Sequence, residues 1–250
     1  IEMGEDAELV VSKSITLDQV KVMGKDNLEF YNGIIINSPQ GSSTVTIVDC
    51  YFYHGNVGFT KSATSTLDLL TIENTAFSTC AVGLRTYGDA CYLDHARFED
   101  CDIGWEAIDM TATSDFKGYM EGMASYGIKY DAAGTGANLF TYESKFINSA
   151  IGIAAAGPST LMLQCSHFTG NNIDVIKEDG KLNMSYNTSY NIYRNDGTTS
   201  VHGGDNLFNN TSNISIHLLN ADNIYLDGYN EFVFDENPYR FMNGNFSGTS

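Results

Sequence analysis

Two acidic residues and a histidine stand at fixed distances from phenylalanines, and their types suit acid–base chemistry. Glu73 and Asp94 lie four residues before Phe77 and Phe98, and His95 follows Asp94. If the two phenylalanines occupy equivalent positions of a repeat, the three polar side chains lie together. An acid pair beside a histidine suits general acid–base chemistry on a glycan. A polar corner, in which Asp and Asn cap turn amides, explains the same residues without a function.

A second set of charges alternates in sign. Arg85, Glu106 and Lys129 each lie two residues after a glycine. If these positions fall on neighbouring strands, the alternating charges predict an exposed ion-pair ladder. Because Glu106 would pair with both cations, this arrangement favours a structural role.

Tyrosines are concentrated in the C-terminal third and offer a route to ligand binding. Exposed tyrosine rings stack well on sugar rings. The alternative is that several of them point inward and replace phenylalanine in the core. The candidates are Tyr186, Tyr190, Tyr193, Tyr225 and Tyr229.

The positions assigned above are defined by a repeat of phenylalanine and glycine along the chain. A glycine follows the phenylalanine by six residues in four copies, with aliphatic or aromatic residues on both sides of the glycine. A fifth copy keeps the spacing but carries Asp174 in the glycine position. The copies begin at Phe52, Phe77, Phe98, Phe146 and Phe168.

The spacing of the copies predicts a solenoid. The starts are separated by 25, 21, 48 and 22 residues, so the 48-residue step reads as two coils with Tyr119 or Met120 in the phenylalanine position. Apolar residues seven and five positions before each phenylalanine indicate a strand with alternating faces. A repeat in the low twenties buries its apolar face only against neighbouring repeats. We expect each glycine to lie outward or at a bend.

The predicted architecture is a right-handed parallel β-helix of roughly ten coils, each of 20–25 residues. One domain spans residues 1–250, with a first irregular coil at 1–30 and a terminal segment at 233–250. Hydrophobic residues make up 42% of the chain, enough for a continuous core, and no apolar run is long enough for a spanning helix.

The net charge of the chain argues against several classes of binding partner. The formal net charge is −18 with only 13 Lys and Arg residues, which argues against nucleic acid as a partner. It equally disfavours anionic membranes and, without a bridging cation, anionic polysaccharides. Acidity of this degree is typical of extracellular or surface proteins. No cofactor motif is present, and Ca²⁺ on the acidic face is the only cofactor left open.

The cysteines do not form an evident disulfide framework, because there are five of them. Cys80 and Cys101 each lie three residues after a phenylalanine and would stack on adjacent coils. Free thiols and a disulfide both fit this placement, and flat coil stacking favours free thiols. Cys91 occupies a position that other coils fill with Val or Leu, so we expect it in the core.

The repeat resembles the right-handed parallel β-helix superfamily, whose architecture is that of pectate lyase. The resemblance rests on the repeated Phe-x-x-x-x-[Ile/Val]-Gly-apolar units, on Asn-Gly-Ile at 32–34 and on Tyr-Gly-Ile at 126–128. It covers residues 8 to 236 and implies the architecture, not the activity. In the lyases of this superfamily a basic residue on such a face acts as base or charge neutraliser, which adds Arg85 to the catalytic candidates.

These observations favour a secreted or cell-surface module with a structural or binding role, adhesin-like, toward a polysaccharide or another surface protein. The Asn-Thr-Asp, Asp-Asp and Arg-Ile-Lys signatures of pectin-depolymerising hydrolases are absent from the sequence. The alternative is a polysaccharide lyase or glycoside hydrolase that uses Asp94, His95, Glu73 and Arg85. A further alternative, a phage tailspike segment, predicts a stable trimer.

Overall fold

The computed structural model describes residues 1–25, 30–37, 43–65, 67–184, 189–194, 197–202, 204–210, 214–221, 223–225, 230–234 and 241–243. Over these ranges the chain winds as a parallel β-solenoid of about eight turns. Parallel strands form three rows along it, and the first two rows merge into one 17-stranded sheet. The predicted all-β fold with parallel stacked strands is therefore confirmed.

The first row is the strand that precedes the phenylalanine of each coil. Its strands are β3 (Ile15–Asp18), β6 (Ser43–Val48), β9 (Leu67–Glu73), β12 (Cys91–Glu99), β14 (Ser114–Glu121), β16 (Leu139–Tyr142), β19 (Thr160–Gln164), β22 (Lys181–Asn183) and β27 (Asn223–Tyr225).

The second row carries the phenylalanines. It contains β1 (Glu2–Met3), β4 (Lys21–Gly24), β7 (Tyr51–Tyr53), β10 (Ala76–Ser78), β17 (Lys145–Ile147), β20 (His167–Thr169), β25 (Leu207–Asn210) and β28 (Glu231–Phe234). Strands β12 and β14 run through both rows, which joins the two rows at the middle of the solenoid.

The third row is a separate 10-stranded sheet that begins at the glycine motif. Its strands are β2 (Glu8–Val11), β5 (Gly33–Ile36), β8 (Val57–Lys61), β11 (Val82–Tyr87), β13 (Ile103–Met110), β15 (Tyr126–Ala132), β18 (Ile151–Ala156), β21 (Ile173–Glu178), β26 (Ile214–Leu219) and β29 (Phe241–Asn243). An antiparallel pair, β23 (Ser189–Arg194) and β24 (Gly197–His202), stands apart from the rows.

Two stacks of phenylalanine rings, separated by one methionine, form the centre of the core. Phe77 and Phe98 are fully buried with ring centroids 4.9 Å apart and an interplanar angle of 9°. Met120 takes the phenylalanine position between Phe98 and Phe146, which confirms that the 48-residue step holds two coils. Parallel strands set this spacing because neighbouring strands lie about 4.8 Å apart.

The number of turns is smaller than the roughly ten expected. Phe168 and Phe208 are 4.9 Å apart and directly paired, so the long interval between them contains a single turn. The antiparallel pair β23–β24 lies within that interval. The expected count therefore included a coil in an interval where the structure has this antiparallel pair instead.

The repeated glycine lies inside the solenoid, and the expectation that it lies outward was wrong. A Cβ on Gly83 would be 2.7 Å from Cδ1 of Phe98 and 2.8 Å from the carbonyl oxygen of Gly104. A side chain there would push neighbouring coils apart. Asp174, which replaces the glycine in the last copy, is buried and accepts a 2.9 Å hydrogen bond from Nδ2 of Asn171.

The predictions for the cysteines hold. Cys80 and Cys101 are free thiols, and both are buried in the turns between the second and third rows. Cys91 is fully buried and is paired with Leu70 in the first row.

The stacked phenylalanine rings predict that alanine substitutions at two adjacent residues lower the free energy of unfolding by different amounts. Phe168→Ala is expected to destabilise the protein by about 3–5 kcal/mol, because a buried ring between two others is lost and a cavity remains. Thr169→Ala, on the half-exposed outer side of the same strand, is the matched control and should change stability by less than about 0.5 kcal/mol. Urea denaturation followed by circular dichroism measures both. Equal midpoints for the two variants would contradict the ring stack as the main source of stability.

Candidate functional site

The predicted ion-pair ladder exists on the third row. Arg85, Glu106 and Lys129 are paired on successive strands β11, β13 and β15. Nε of Arg85 lies 2.8 Å from Oε2 of Glu106, and Nζ of Lys129 lies 3.0 Å from Oε1. Both carboxylate oxygens of Glu106 thus have a cationic partner, and the Arg85 guanidinium is one of these two partners.

The ladder sets the protonation state of Glu106. Burial alone would raise the pKa of this carboxyl, but hydrogen bonds from Lys129 and Arg85 outweigh that effect, and the pKa is lowered. Glu106 is therefore a carboxylate at neutral pH. Because Arg85 points outward on a different sheet from Glu73 and Asp94, the structure does not bring it to that acidic pair.

The other three catalytic candidates do lie together. Glu73 and Asp94 are direct partners on β9 and β12, and His95 follows at the corner. Nδ1 of His95 lies 3.0 Å from Oδ1 of Asp94, close enough for an ion pair when the imidazole is protonated, although the angles are not those of a hydrogen bond. The two side chains are 59% and 41% exposed, so they are open to solvent.

The corner between the first and second rows has a repeated backbone conformation. On most coils one residue there has a positive φ close to 50°, which non-glycine residues seldom adopt. Asp49 (52°), Asn74 (46°), His95 (54°), Glu143 (47°) and Cys165 (46°) share it. The polar-corner interpretation of Asp49 and Asn74 therefore has a physical basis, because Asn and Asp tolerate this conformation.

Hydroxyl groups line the inner side of this corner. The hydroxyls of Thr75, Ser144 and Ser166 each donate to the carbonyl two residues earlier, at 2.8, 2.9 and 3.2 Å. Ala96 and Gly118 interrupt the row of hydroxyls on the two coils between Thr75 and Ser144. The pairing of β12 and β14 shifts there, and a Cβ on Gly118 would be 2.1 Å from the carbonyl oxygen of Ala96.

A groove opens on the outer surface at this interruption. Its volume is about 630 Å³, and Ala96 and Gly118 contribute no long side chain to it. We name it the corner groove. Its lining residues are His95, Ala96, Arg97, Lys117, Gly118, Tyr119, Glu143 and Lys145.

Lysine 117 forms the inner wall of the corner groove. Its side chain is only 17% exposed, and its ammonium group is paired with the Glu143 carboxylate. The ammonium also lies 6.0 Å from the centre of the Tyr142 ring. Since Lys117 is next to Asp94 across the strand pair, the column Glu73–Asp94–Lys117 ends in a cation.

The outer wall is a row of side chains that directly precede the phenylalanine position. Arg97, Tyr119, Lys145 and His167 are successive partners along β12, β14, β17 and β20. The Arg97 guanidinium lies 5.2 Å from the centre of the Tyr119 ring, and its Nε donates to Oε1 of Glu99 at 2.7 Å. Within the described part of the chain, the exposed Lys145 side chain makes no ion pair.

The Tyr119 phenol is a hydrogen-bond donor, not a base. Its hydroxyl donates to Oε2 of Glu121, and this bond, with burial second, raises the pKa of Tyr119 to about 12. The ring therefore stays neutral at physiological pH. It presents an amphipathic surface between two cations.

The predicted tyrosine cluster is only partly described. Tyr225 is 44% exposed on β27 in the first row. Tyr190 and Tyr193 belong to β23, whose side chains are outside the described set. Tyr186 and Tyr229 lie outside the described residues.

The repeat could have identified the cations of the corner groove, but they were missed. Arg97, Tyr119 and Lys145 directly precede Phe98, Met120 and Phe146, so the same alignment places them in one column. Their signal is weak because this position varies widely on the other coils, which carry Lys21, Tyr51, Ala76, His167, Leu207 and Glu231. The alignment did not indicate the ion pair between Lys117 and Glu143, because these two residues do not occupy equivalent positions on their coils.

A search for metal ligands gives no support for the Ca²⁺ left open by the sequence. Among the described residues no group of three or more His, Cys, Asp or Glu side chains is placed to hold a metal ion. Over the same ranges, no helix has the length and apolar character needed to cross a membrane.

The fold defines the chain as a parallel β-solenoid, and its particular relatives are not identified. Comparison with protein-family models, with curated protein sequences and with solved structures found no match. The corner groove is therefore the feature from which a function can be inferred.

The lowered pKa of Glu106 predicts a pH-dependent stability. A carboxyl with a depressed folded-state pKa contributes stability above its ordinary value, near 4.3, and loses it as pH falls through the lowered value. Glu106→Gln should therefore lower stability at pH 7 by roughly 0.5–1 kcal/mol, and the difference from the parent should shrink below about pH 4. Urea midpoints across the pH range measure it. Glu178→Gln, an exposed change on the same sheet, is the control, and a pH-independent difference for Glu106→Gln would refute the ladder.

Proposed function

We propose that this protein is a secreted or cell-surface binding module that holds an anionic carbohydrate chain in the corner groove. The observation that carries the proposal is the concentration of Arg97, Lys117 and Lys145 around one open groove on a chain with a formal charge of −18. Whole-chain charge disfavours such a ligand at long range. Local charge decides binding at contact, because salt screens interactions beyond about 8–10 Å.

The shape of the groove supports an extended ligand. Arg97, Tyr119 and Lys145 stand on three successive coils, so the row is about 10 Å long at the parallel-strand spacing. A polysaccharide that lies along the solenoid axis would meet a cation, an aromatic ring and a second cation in turn. Cations at this spacing suit a polymer that carries a carboxylate on each sugar.

Most of the cationic side chains of the corner groove are already held in place by protein contacts, which favours tight binding of a ligand. Arg97 is already held over Tyr119 and against Glu99, and Lys117 is held against Glu143. Side chains that are ordered before binding lose less conformational entropy when a ligand arrives. Lys145 supplies the exposed charge that a carboxylate can reach without displacing a protein partner.

The test is binding of oligouronates. Lys145→Ala is expected to weaken the affinity of an oligouronate by about 10-fold or more, because a charge-assisted hydrogen bond contributes about 1.5–3 kcal/mol. Isothermal titration calorimetry measures it, with a neutral oligosaccharide of the same length as ligand control. Lys129→Ala, which removes a cation from the third row, is the matched protein control.

Two outcomes would reject the proposal. One is equal affinity for the neutral and the charged oligosaccharide. The other is equal weakening by Lys129→Ala and Lys145→Ala, because only Lys145 borders the corner groove.

A second candidate function is cleavage of the same polymer. His95 lines the groove beside Asp94, so a titratable imidazole stands next to cations that could neutralise a substrate carboxylate. A lyase would move the proton on the carbon beside that carboxylate to a base and break the glycosidic C–O bond, so that a C=C double bond forms on one fragment and the departing oxygen takes up a proton to become the hydroxyl of the other.

Cleavage is tested by incubating polyuronate with the protein and measuring unsaturated ends by ultraviolet absorbance and new reducing ends by a chemical assay. If the site is catalytic, His95→Ala and Asp94→Ala each remove the activity while oligouronate binding persists. Activity that survives both substitutions would exclude these residues, and the absence of any turnover would leave the binding role alone.

A further inference from the structure

A buried column of sulfur atoms crosses neighbouring coils at the turn between the second and third rows. Cys80 and Cys101 occupy equivalent positions, because the strands on either side of each turn are paired without a shift. The amide of Asp102 donates to the carbonyl of Cys80 across this turn. Met123 takes the same position on the next coil, and all three sulfur-bearing residues are at most 3% exposed.

A buried tyrosine closes the other end of this column. Tyr31 is bridged in parallel to Gly55, which occupies the position equivalent to Cys80 on the preceding coil. The Tyr31 ring fills the space that a side chain on Gly55 would need, since a Cβ there would lie 2.9 Å from Cζ of Tyr31. The Tyr31 side chain is fully buried, and within the described part of the chain its hydroxyl makes no hydrogen bond of normal geometry.

Each of the two thiols makes only weak hydrogen bonds to backbone carbonyls. The Cys80 sulfur lies 3.5 Å from the carbonyl oxygen of Ser78, and the Cys101 sulfur lies 3.4 Å from that of Glu99. The strand pairing on both sides of the turn places the two thiols in equivalent positions on adjacent coils. Burial raises the pKa of Tyr31, so the phenol remains a hydrogen-bond donor.

We propose that Cys80 and Cys101 bind one soft monovalent cation, of the Cu(I) class, and that the Tyr31 hydroxyl donates a hydrogen bond to the bound Cys80 thiolate. Soft thiolate and thioether ligands select such ions. Binding releases thiol protons to solvent and leaves the metal at +1, so no electron is transferred. The site is separate from the corner groove and does not depend on carbohydrate binding.

The coil spacing suits a metal bridge better than a disulfide. Two metal–thiolate bonds, each taken as about 2.3 Å by analogy with zinc–sulfur bonds, span about 4.6 Å, close to the spacing of about 4.8 Å between parallel strands. A disulfide needs the Cβ atoms about 3.8 Å apart and would pull the two coils together. A disulfide sulfur is also a poor acceptor, and would leave the buried Tyr31 hydroxyl unsatisfied.

The remaining cysteines provide internal controls. Cys50 is buried and its amide bonds to the Thr75 hydroxyl on the next coil, while Cys91 is opposite Leu70. Neither has a second sulfur on the adjacent coil at its own position. Cys50→Ser is therefore matched in burial and chemistry to the test variants.

The experiment loads the reduced protein with Cu(I) without oxygen, both after folding and during refolding, and measures affinity by competition with a chromogenic Cu(I) chelator. Native mass spectrometry should show one bound copper per chain. Cys80→Ser and Cys101→Ser should each abolish it, and Cys50→Ser should retain it. Tyr31→Phe should keep the stoichiometry and weaken affinity by about 10-fold.

Several results would overturn the site. They are no copper bound under either loading condition, copper retained by Cys80→Ser, or copper lost by Cys50→Ser. A Cys80–Cys101 cross-link in the reduced, anaerobic sample, detected as joined tryptic peptides that contain the two residues, would also reject it. Thermal unfolding of each serine variant verifies that loss of metal is not loss of fold.

Discussion

Parallel strands that pair without a shift hold equivalent residues of successive coils about 4.8 Å apart, and the other features of this protein follow from that spacing. Buried phenylalanines at that distance stack with centroids 4.9 Å apart. Glycines are favoured where the backbone of one coil meets a ring of the next, although Asp174 takes this position on one coil. Charges face the same constraint, because like charges in one column repel, and the Arg85–Glu106–Lys129 ladder alternates in sign accordingly.

The candidate site arises where the repeat is broken. Three coils turn the first corner with a positive-φ residue followed by a hydroxyl that donates to a backbone carbonyl. Ala96 and Gly118 interrupt the row of hydroxyls, the strand pairing shifts, and strands β12 and β14 run on through the corner. The corner groove opens on the outer surface at this interruption, and long cationic side chains project around it.

The fold was largely predictable because columns in a solenoid can be aligned from sequence. The phenylalanine spacing located the strands, the aligned cysteines and the charge ladder. The spacing did not predict the number of coils correctly where a segment leaves the repeat, as the antiparallel pair β23–β24 does, because the residues of that segment do not form a coil. It also misjudged the glycine, since an empty side-chain position looks the same in sequence whether it faces solvent or a neighbouring ring.

The candidate site was less predictable for a related reason. Alignment brought Glu73, Asp94 and His95 together, as the structure does, but it could not tell which columns border open space. That depends on a shift of pairing between residues 94 and 96 and on the loss of side chains at the corner. The pair between Lys117 and Glu143 joins different columns, so no alignment of equivalent positions reveals it.

Hydrogen–deuterium exchange with and without a bound oligouronate tests the central claim most directly, because it locates the ligand on the solenoid. The account predicts slower exchange at residues 95–97, 117–121 and 143–147, which border the corner groove, with little change along the third row. Protection confined to the third row, or spread evenly over all the coils, would contradict a binding site at the corner groove.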